Sequence, residues 1–280
     1  MKIIEKKGYC YLKHSYRKGK KIVTKERYLG KTIPENIEDI KEEMLKEGKI
    51  ELHKKLEKIK NEFRKEWEKF PDSVKERELE EIAIAFTYNT NAIEGSMITL
   101  EEVREIIEDK MAPNKPLRDV KEAEFHAKVF LEMLKKKENV SNRLMLDWHK
   151  KIFGETKQDI AGRYRDYLVR IGNYRAPDWQ DVKKLMKQLV RFVNSSNINP
   201  VELAAISHYR FEKTHPFGDG NGRIGRLLMN LILWQGQYPM LIIEYKKRKS
   251  YYRALNKGEQ GFVNYFMKRY LAVHKKRLNL

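Results

Sequence analysis

Residues 215–226 read HPFGDGNGRIGR and place a histidine, a carboxylate, an amide and two arginines among four glycines. Glycines let a backbone approach a ligand and turn its N–H groups inward, and arginine forks match phosphate oxygens. The pattern predicts a polyphosphate site. Gly220, Gly222 and Gly225 also satisfy G-x-G-x-x-G, but that dinucleotide fingerprint requires a preceding β-strand. Here the preceding PVELAAISHYRFEKT has helical spacing, and no Gly-Lys-Ser/Thr follows to make a P-loop. What remains is a loop between two helices, the second starting near Asn221. Unpaired N–H groups and the helix dipole at that terminus favour an anion over Gly220 to Arg223. Asp219, at the edge of this site, is a hard oxygen ligand suited to Mg²⁺, which takes a carboxylate or two together with substrate phosphates and waters. Arg223 and Arg226, three apart, can face the same anion. His215, whose ordinary pKa lies near neutrality, suits a general base for a hydroxyl nucleophile.

The elements that must hold this loop are mostly helical. Apolar residues three or four apart predict an amphipathic arm from Ile37 to Phe70, interrupted near Gly48 and closed by Pro71. A second helix covers roughly 73–93 and stops at Gly95. Thr99 and Glu102 form a capping box for LEEVREIIED. Further helices follow in LRDVKEAEFHAKVFLEMLKKK, SNRLMLDWHKKIF, DWQDVKKLMKQLVRFVN and PVELAAISHYRFEKT. GRIGRLLMNLILWQG reads as a buried helix, and two more close the chain. Two segments break the pattern. IAGRYRDYLVRIGNYRAP reads as an exposed hairpin, and GYCYLKHSYRKGKKIVTKERYL as two strands around a turn at Gly19. The fold class expected is all-α with these hairpins attached. The expected divisions are a basic hairpin over 1–34, a helical arm over 35–72 and a main domain over 73–280.

The chain of 280 residues is 41% hydrophobic, enough for a real core, and carries a formal net charge of +19. Residues 1–31 hold eleven Lys/Arg against two Asp/Glu, and residues 245–280 hold eleven against one, so the middle of the chain is neutral. Two readings of the basic ends stay open, a solvated surface and a nucleic-acid footprint; the start does interleave aromatic and basic residues. No apolar run approaches the roughly 20 residues that cross a bilayer, which leads us to expect a cytoplasmic protein without a membrane partner. The lone Cys10 excludes an internal disulfide framework and a multi-cysteine zinc site.

The run from His215 to Arg226 resembles the signature of the Fic (filamentation induced by cyclic AMP) family, H-P-F-x-D-G-N-G-R-x-x-R, at every defined position. The likeness extends from about residue 76 to the C-terminus. It implies a Fic helical core with a β-hairpin flap, and transfer of AMP from ATP to a Tyr, Thr or Ser hydroxyl of a target protein with release of pyrophosphate. By resemblance, His215 deprotonates the target hydroxyl and Phe217 anchors the loop. Asp219 holds Mg²⁺, Asn221 and the surrounding backbone N–H groups cradle the phosphates, with Gly218, Gly220 and Gly222 among the nucleotide-binding residues, and Arg223 and Arg226 take the β- and γ-phosphates. Gly222 stands where kinase-type Doc-like members carry Lys, which places the chain with the AMP-transferring branch. AGRYRDYLVRIG resembles the family's flap, with Gly162, Arg165, Val169 and Ile171 docking an extended target segment. SYYRAL resembles the segment bordering the adenine, making Tyr251, Tyr252 and Leu255 candidate base contacts; core packing is the alternative for these three.

TNAIEG at 90–95 resembles the family's inhibitory motif, [S/T]-x-x-x-E-[G/N], placed before the catalytic core as in class II members, on a helix at about 78–94. Thr90 and Glu94 lie on one helical face, with Gly95 behind them. The resemblance implies that Glu94 pairs with Arg226 and withholds it from the γ-phosphate, making an autoinhibited enzyme capable of self-modification. The same glutamate aligns water for AMP removal in some relatives, so deAMPylation is an alternative. A nucleotide-responsive module binding nucleic acid through the basic N-terminus is another. The expected partners are a hydroxyl-bearing target protein and a second copy of the chain.

Overall fold

The structure, a computed structural model, describes residues 1–18, 21–136 and 138–278. The chain divides into two compact units, Met1–Ile59 and Lys60–Leu280. The first begins with three antiparallel strands rather than the two expected. These are β1 (Lys2–Lys6), β2 (Tyr9–Lys18) and β3 (Lys21–Gly30), in the order β1-β2-β3. The charges of the short KIIEK mask its alternation in the sequence; it pairs in register with β2, Ile4 opposite Tyr11. Gly19, the expected turn residue, lies outside the described residues. The sheet buries Leu12, and Arg27 on β3 pairs with Glu43 on helix α1 (Ile37–Lys69).

Helix α1 runs for 33 residues without the break expected at Gly48. One glycine costs a helix about 1 kcal/mol, too little to interrupt one this long. Its last turns belong to the second unit, where Phe63 and Trp67 pack edge-on against Trp234, with ring centroids 6.3 and 5.5 Å away.

The second unit is a helical bundle with one small hairpin. Its helices are α2 (Asp72–Ile93), α3 (Leu100–Arg104), α4 (Leu117–Lys135), α5 (Asn142–Phe153), α6 (Trp179–Ser195), α7 (Pro200–Thr214), α8 (Asn221–Gln235), α9 (Arg248–Leu255) and α10 (Gly258–Val273). Helix α3 starts in the capping box read from Thr99 and Glu102, and its helical path continues to Asp109 as a wider π turn. Asn199 caps α7 by accepting from the Val201 N–H, with Pro200 in the first turn. Every residue of α8 from Asn221 to Leu233 is buried, so this helix is the hub around which the others assemble. The expected hairpin forms as β4 (Arg170–Ile171) and β5 (Tyr174–Arg175), a ladder much shorter than its sequence suggested. No helix among the described residues is long and apolar enough to cross a membrane.

Candidate active site

Helices α7 and α8 meet at the loop 215–220, and the sequence makes that loop fold back on itself. His215 ends α7 in the left-handed region (φ 48°), and Gly220 opens α8 there as well (φ 76°). A Cβ on Gly220 would lie 2.4 Å from the Phe153 ring, so both the backbone angle and the close approach require glycine. The Asn221 side chain is buried and spent inside the loop. Its Oδ1 accepts from the Phe217 N–H at 2.8 Å, and its amide donates to the Phe217 carbonyl at 2.9 Å. Asn221 therefore sets the shape of the cradle, and its amide is not itself turned toward a phosphate. Phe217 is fully buried and stacked on His149, with centroids 4.0 Å apart and rings 10° from parallel.

His149, which sequence reasoning missed, ties the loop to α5. Its Nδ1 accepts from the Gly162 N–H at 2.9 Å, so Nε2 carries the proton and donates to the Asp219 carbonyl at 3.0 Å. Burial pushes its pKa down to about 4, keeping the ring neutral, although the Asp219 carbonyl works the other way. Arg165 is a second such tie. It is buried, and it donates to the carbonyls of His215, Tyr167 and Pro177 at 2.6–2.8 Å, while its own N–H reaches the Pro216 carbonyl. A residue expected to dock a target thus clamps the flap to the loop. Of the other flap residues, Ile171 is exposed on β4, Val169 accepts from the Ala176 N–H, and Gly162 holds φ 70° beside His149.

His215 is half-buried, and its Nδ1 faces the Glu212 carbonyl at 3.4 Å. With Nδ1–H donating there, Nε2 is the basic nitrogen. Burial, joined by the Arg165 charge, holds its pKa below the ordinary 6.5, while the Glu212 carbonyl, Glu94 and Asp219 push back.

The charged groups form two clusters. In the first, the exposed Asp219 carboxylate meets the Lys157 ammonium at 2.8 Å and faces Arg223 at 3.8 Å; Lys157 also meets buried Glu122 at 2.7 Å, and Glu122 pairs with Arg223. Burial opposes the charge on Asp219, but Lys157 and Arg223 outweigh it and lower its pKa. Arg223 lies over the Phe153 ring, 4.3 Å from its centroid. Neither Glu122 nor Lys157 was singled out in the sequence, where both look like ordinary charges on helical or loop segments. The cluster lines a cavity of about 110 Å³. The Asp219 carboxylate is the kind of hard oxygen donor Mg²⁺ takes, and in the structure Lys157 and Arg223 already face it. No group of three or more metal-binding side chains occurs among the described residues, so such an ion would rest on Asp219 with substrate oxygens and waters.

The second cluster centres on Arg226, which is 1% exposed. It donates to the Glu94 carboxylate at 2.6 Å and to both the hydroxyl and carbonyl of Thr90 at 3.2 Å. Helix α2 ends at Ile93, and Gly95 at φ 94° turns the chain away. Gly222 makes room for this contact, since a Cβ there would lie 2.1 Å from the Glu94 carboxylate and 2.8 Å from the guanidinium. Gly222 thus leaves the space in which the Glu94–Arg226 pair forms.

The three candidate base contacts separate. Tyr251 is buried and hydrogen-bonds His208 at 2.7 Å, and Leu255 is buried too, so both belong to the core. Tyr252 is 43% exposed, and its hydroxyl donates to the Ile93 carbonyl at 3.4 Å, at the end of α2.

An all-α bundle that presents a glycine loop, an imidazole and two arginines at the start of a buried helix has the architecture of the Fic type. Residues 139–233 match the Fic/DOC family model, and the chain belongs to that family. It is 34% identical over 200 residues to the protein adenylyltransferase Fic of Nematostella vectensis, covering 69% of this chain and 47% of that protein. Identity to protein adenylyltransferase fic-1 of Caenorhabditis elegans is 33% over 207 residues, with 71% and 41% covered. The chain therefore spans less than half the length of these relatives. Among solved structures, a fragment of Fic-1 from C. elegans superposes with a TM-score of 0.69 at 27% identity, covering 84% of this chain and 73% of that one. A Fic family protein from Desulfovibrio desulfuricans superposes with a TM-score of 0.69 at 26% identity, covering 82% and 74%.

Proposed function

We propose that the chain is an autoinhibited protein adenylyltransferase that moves AMP from ATP to a Ser, Thr or Tyr hydroxyl. The observation that carries this reading is His215 held neutral at the mouth of the loop while Glu94 occupies Arg226. The target hydroxyl oxygen bonds to the α-phosphorus, its proton passes to His215 Nε2, and the bond from the α-phosphorus to the bridging oxygen breaks to release pyrophosphate. Backbone N–H groups from Asn221 to Arg223 and the α8 dipole orient the phosphates, and the Gly220 N–H joins them once it leaves the Asp219 carboxylate. Arg223 and Arg226 must exchange their carboxylates, Glu122 and Glu94, for phosphate oxygens. Mg²⁺, when bound at Asp219, neutralises phosphate charge, and Lys157 must give way to it. The extended segment around β4, clamped by Arg165, is the edge against which a target segment would lie.

Parent, Glu94→Gly and His215→Ala proteins incubated with Mg²⁺ and α-labelled ATP, then weighed intact, test the reading. Gain of one AMP unit in the Glu94 variant alone supports it, with the chain serving as its own target. A second arm offers each protein an AMP-modified hydroxyl substrate. Loss of AMP to parent protein, with no transfer by any of the three, would replace transfer by removal.

A further inference from the structure

The β1-β2-β3 sheet has two unlike faces. Alternation places Leu12, which is fully buried, on one face, while Lys6, Tyr9, Tyr11, Lys13 and Ser15 belong to the other. Opposite them, β3 contributes Thr24, Glu26 and Tyr28 to this second face, and β1 contributes Lys2 across from Lys13. A solvated sheet face ordinarily carries polar, non-aromatic residues. This one carries three tyrosines in a cluster: Tyr28 is 56% exposed, with its ring centroid 5.8 Å from Tyr9 and 5.4 Å from Tyr11. The register shift between Cys10 and Tyr11 accompanies this grouping on β2. Lysines surround the rings. Lys6 lies 5.7 Å from the Tyr11 centroid, and Lys6 and Lys13 together hold Glu26, at 2.5 and 3.6 Å, so the one acidic side chain on the face is already neutralised. Ser15 and Thr24 add a pair of hydroxyls 2.8 Å apart.

We propose that this face binds single-stranded RNA, with the tyrosines stacking unpaired bases, the lysines meeting backbone phosphates and the hydroxyls contacting ribose 2′-OH groups. The excess of eleven basic over two acidic residues in 1–31 supplies the charge complementarity. Aromatic rings on a basic sheet select for unstacked bases, which a duplex withholds. An acidic protein would use the lysines but leave the exposed Tyr28 ring without a role. Ile4 and the 68% exposed Ile22 also lie on this face, so a membrane surface is distinguished from RNA by the vesicle arm of the test below.

The test uses the full chain and a fluorescent mixed-sequence 20-mer RNA, read by anisotropy between 50 and 200 mM NaCl. Lys2, Lys6 and Lys13 less the charge of Glu26 leave about two phosphate contacts, which at about 0.7 each give a log–log salt slope of about −1.4, or roughly 7-fold weaker binding across that range. Tyr28→Ala should weaken binding about tenfold at fixed salt, and Tyr28→Phe, which keeps the ring, should restore it. Circular dichroism of both variants checks that the sheet is intact. The basic segment 245–280 could bind RNA by charge alone, but such binding would ignore Tyr28. The proposal is overturned if the parent fails to bind at 50 mM NaCl, or if Tyr28→Ala binds as tightly as the parent. It is overturned equally if double-stranded RNA, single-stranded DNA of the same sequence, poly-glutamate or phosphatidylserine vesicles bind as well as the single strand.

Discussion

Glu94→Gly should activate the protein and destabilise it at once, and both effects come from one contact. Arg226 is almost wholly buried, and its only described carboxylate hydrogen-bond partner is Glu94, at 2.6 Å. Removing one member of a buried pair typically costs 3–5 kcal/mol because the other charge is left stranded. Glu94 itself is 26% exposed, and Thr90 still accepts from the guanidinium, so the low end, about 3 kcal/mol, applies here. In a unit of this size that corresponds to a melting point about 6–12 °C lower without nucleotide. The same energy is what a γ-phosphate must spend in the parent to displace Glu94. In the variant the phosphate instead relieves an unpaired cation, so productive ATP binding should tighten by about 3 kcal/mol, near 100-fold. Calorimetric melting with and without Mg·ATP, alongside AMP transfer at subsaturating ATP, measures the two sides. An activated variant whose nucleotide-free melting point matches the parent would refute the energetic account. A destabilised variant that transfers no more AMP than the parent would refute the proposed autoinhibition.

Three further outcomes follow from the site. The lowered pKa of His215 means that its base form is already dominant at neutral pH, and the Glu94→Gly change removes one of the charges that raise it. The acid limb of kcat/KM for that variant should therefore fall below pH 6.5, and a limb above 6.5 would exclude His215 as the base. Burial of Glu212, whose side chain is 13% exposed and whose Oε1 has no hydrogen-bond partner, raises its pKa to about 7, with Arg226 and Lys213 opposing and Glu94 assisting. Between pH 4.5 and 7 the native carboxyl keeps a proton that the unfolded chain has lost, so its contribution to stability falls by up to about 3 kcal/mol as pH rises. Glu212→Gln should lack this fall; His126, His149 and His274, whose lowered pKa values slope the other way, are common to both proteins and cancel in the difference, whereas His208, 3.9 Å from the Glu212 carboxyl, is followed separately by NMR in each. Parallel stability–pH curves for the two proteins would reject the assignment. Finally, Lys157→Met removes the ammonium that competes for Asp219. In the Glu94→Gly background it should lower severalfold the Mg²⁺ concentration that half-saturates ATP binding by calorimetry, and an unchanged midpoint would show that Lys157 does not hold the metal's place.

The parts legible in the sequence are those whose cause is local. Thr99 and Glu102 cap α3 because both partners lie within one turn, and the loop before α8 is written in consecutive glycines and polar residues. The third strand was hidden because five residues, three of them charged, give too little alternation to distinguish a strand from a solvated tail. The charge clusters were hidden for a different reason. Arg223 meets Glu122 across 101 residues and Arg226 meets Glu94 across 132, and a charge on a helix face is ordinarily solvated until packing brings a partner. Glu94 was found only through the family likeness of TNAIEG; Glu122, with no such motif around it, was not. The buried contacts of Arg165 with the loop carbonyls were equally illegible, and for Tyr251 the structure takes the core-packing alternative that the sequence left open. Both arginines of the signature thus lie on carboxylates that the signature does not contain. On the proposed reading, ATP must displace both carboxylates, so Glu94 and Glu122, which lie outside the loop motif, would decide when the two arginines are free to meet a phosphate.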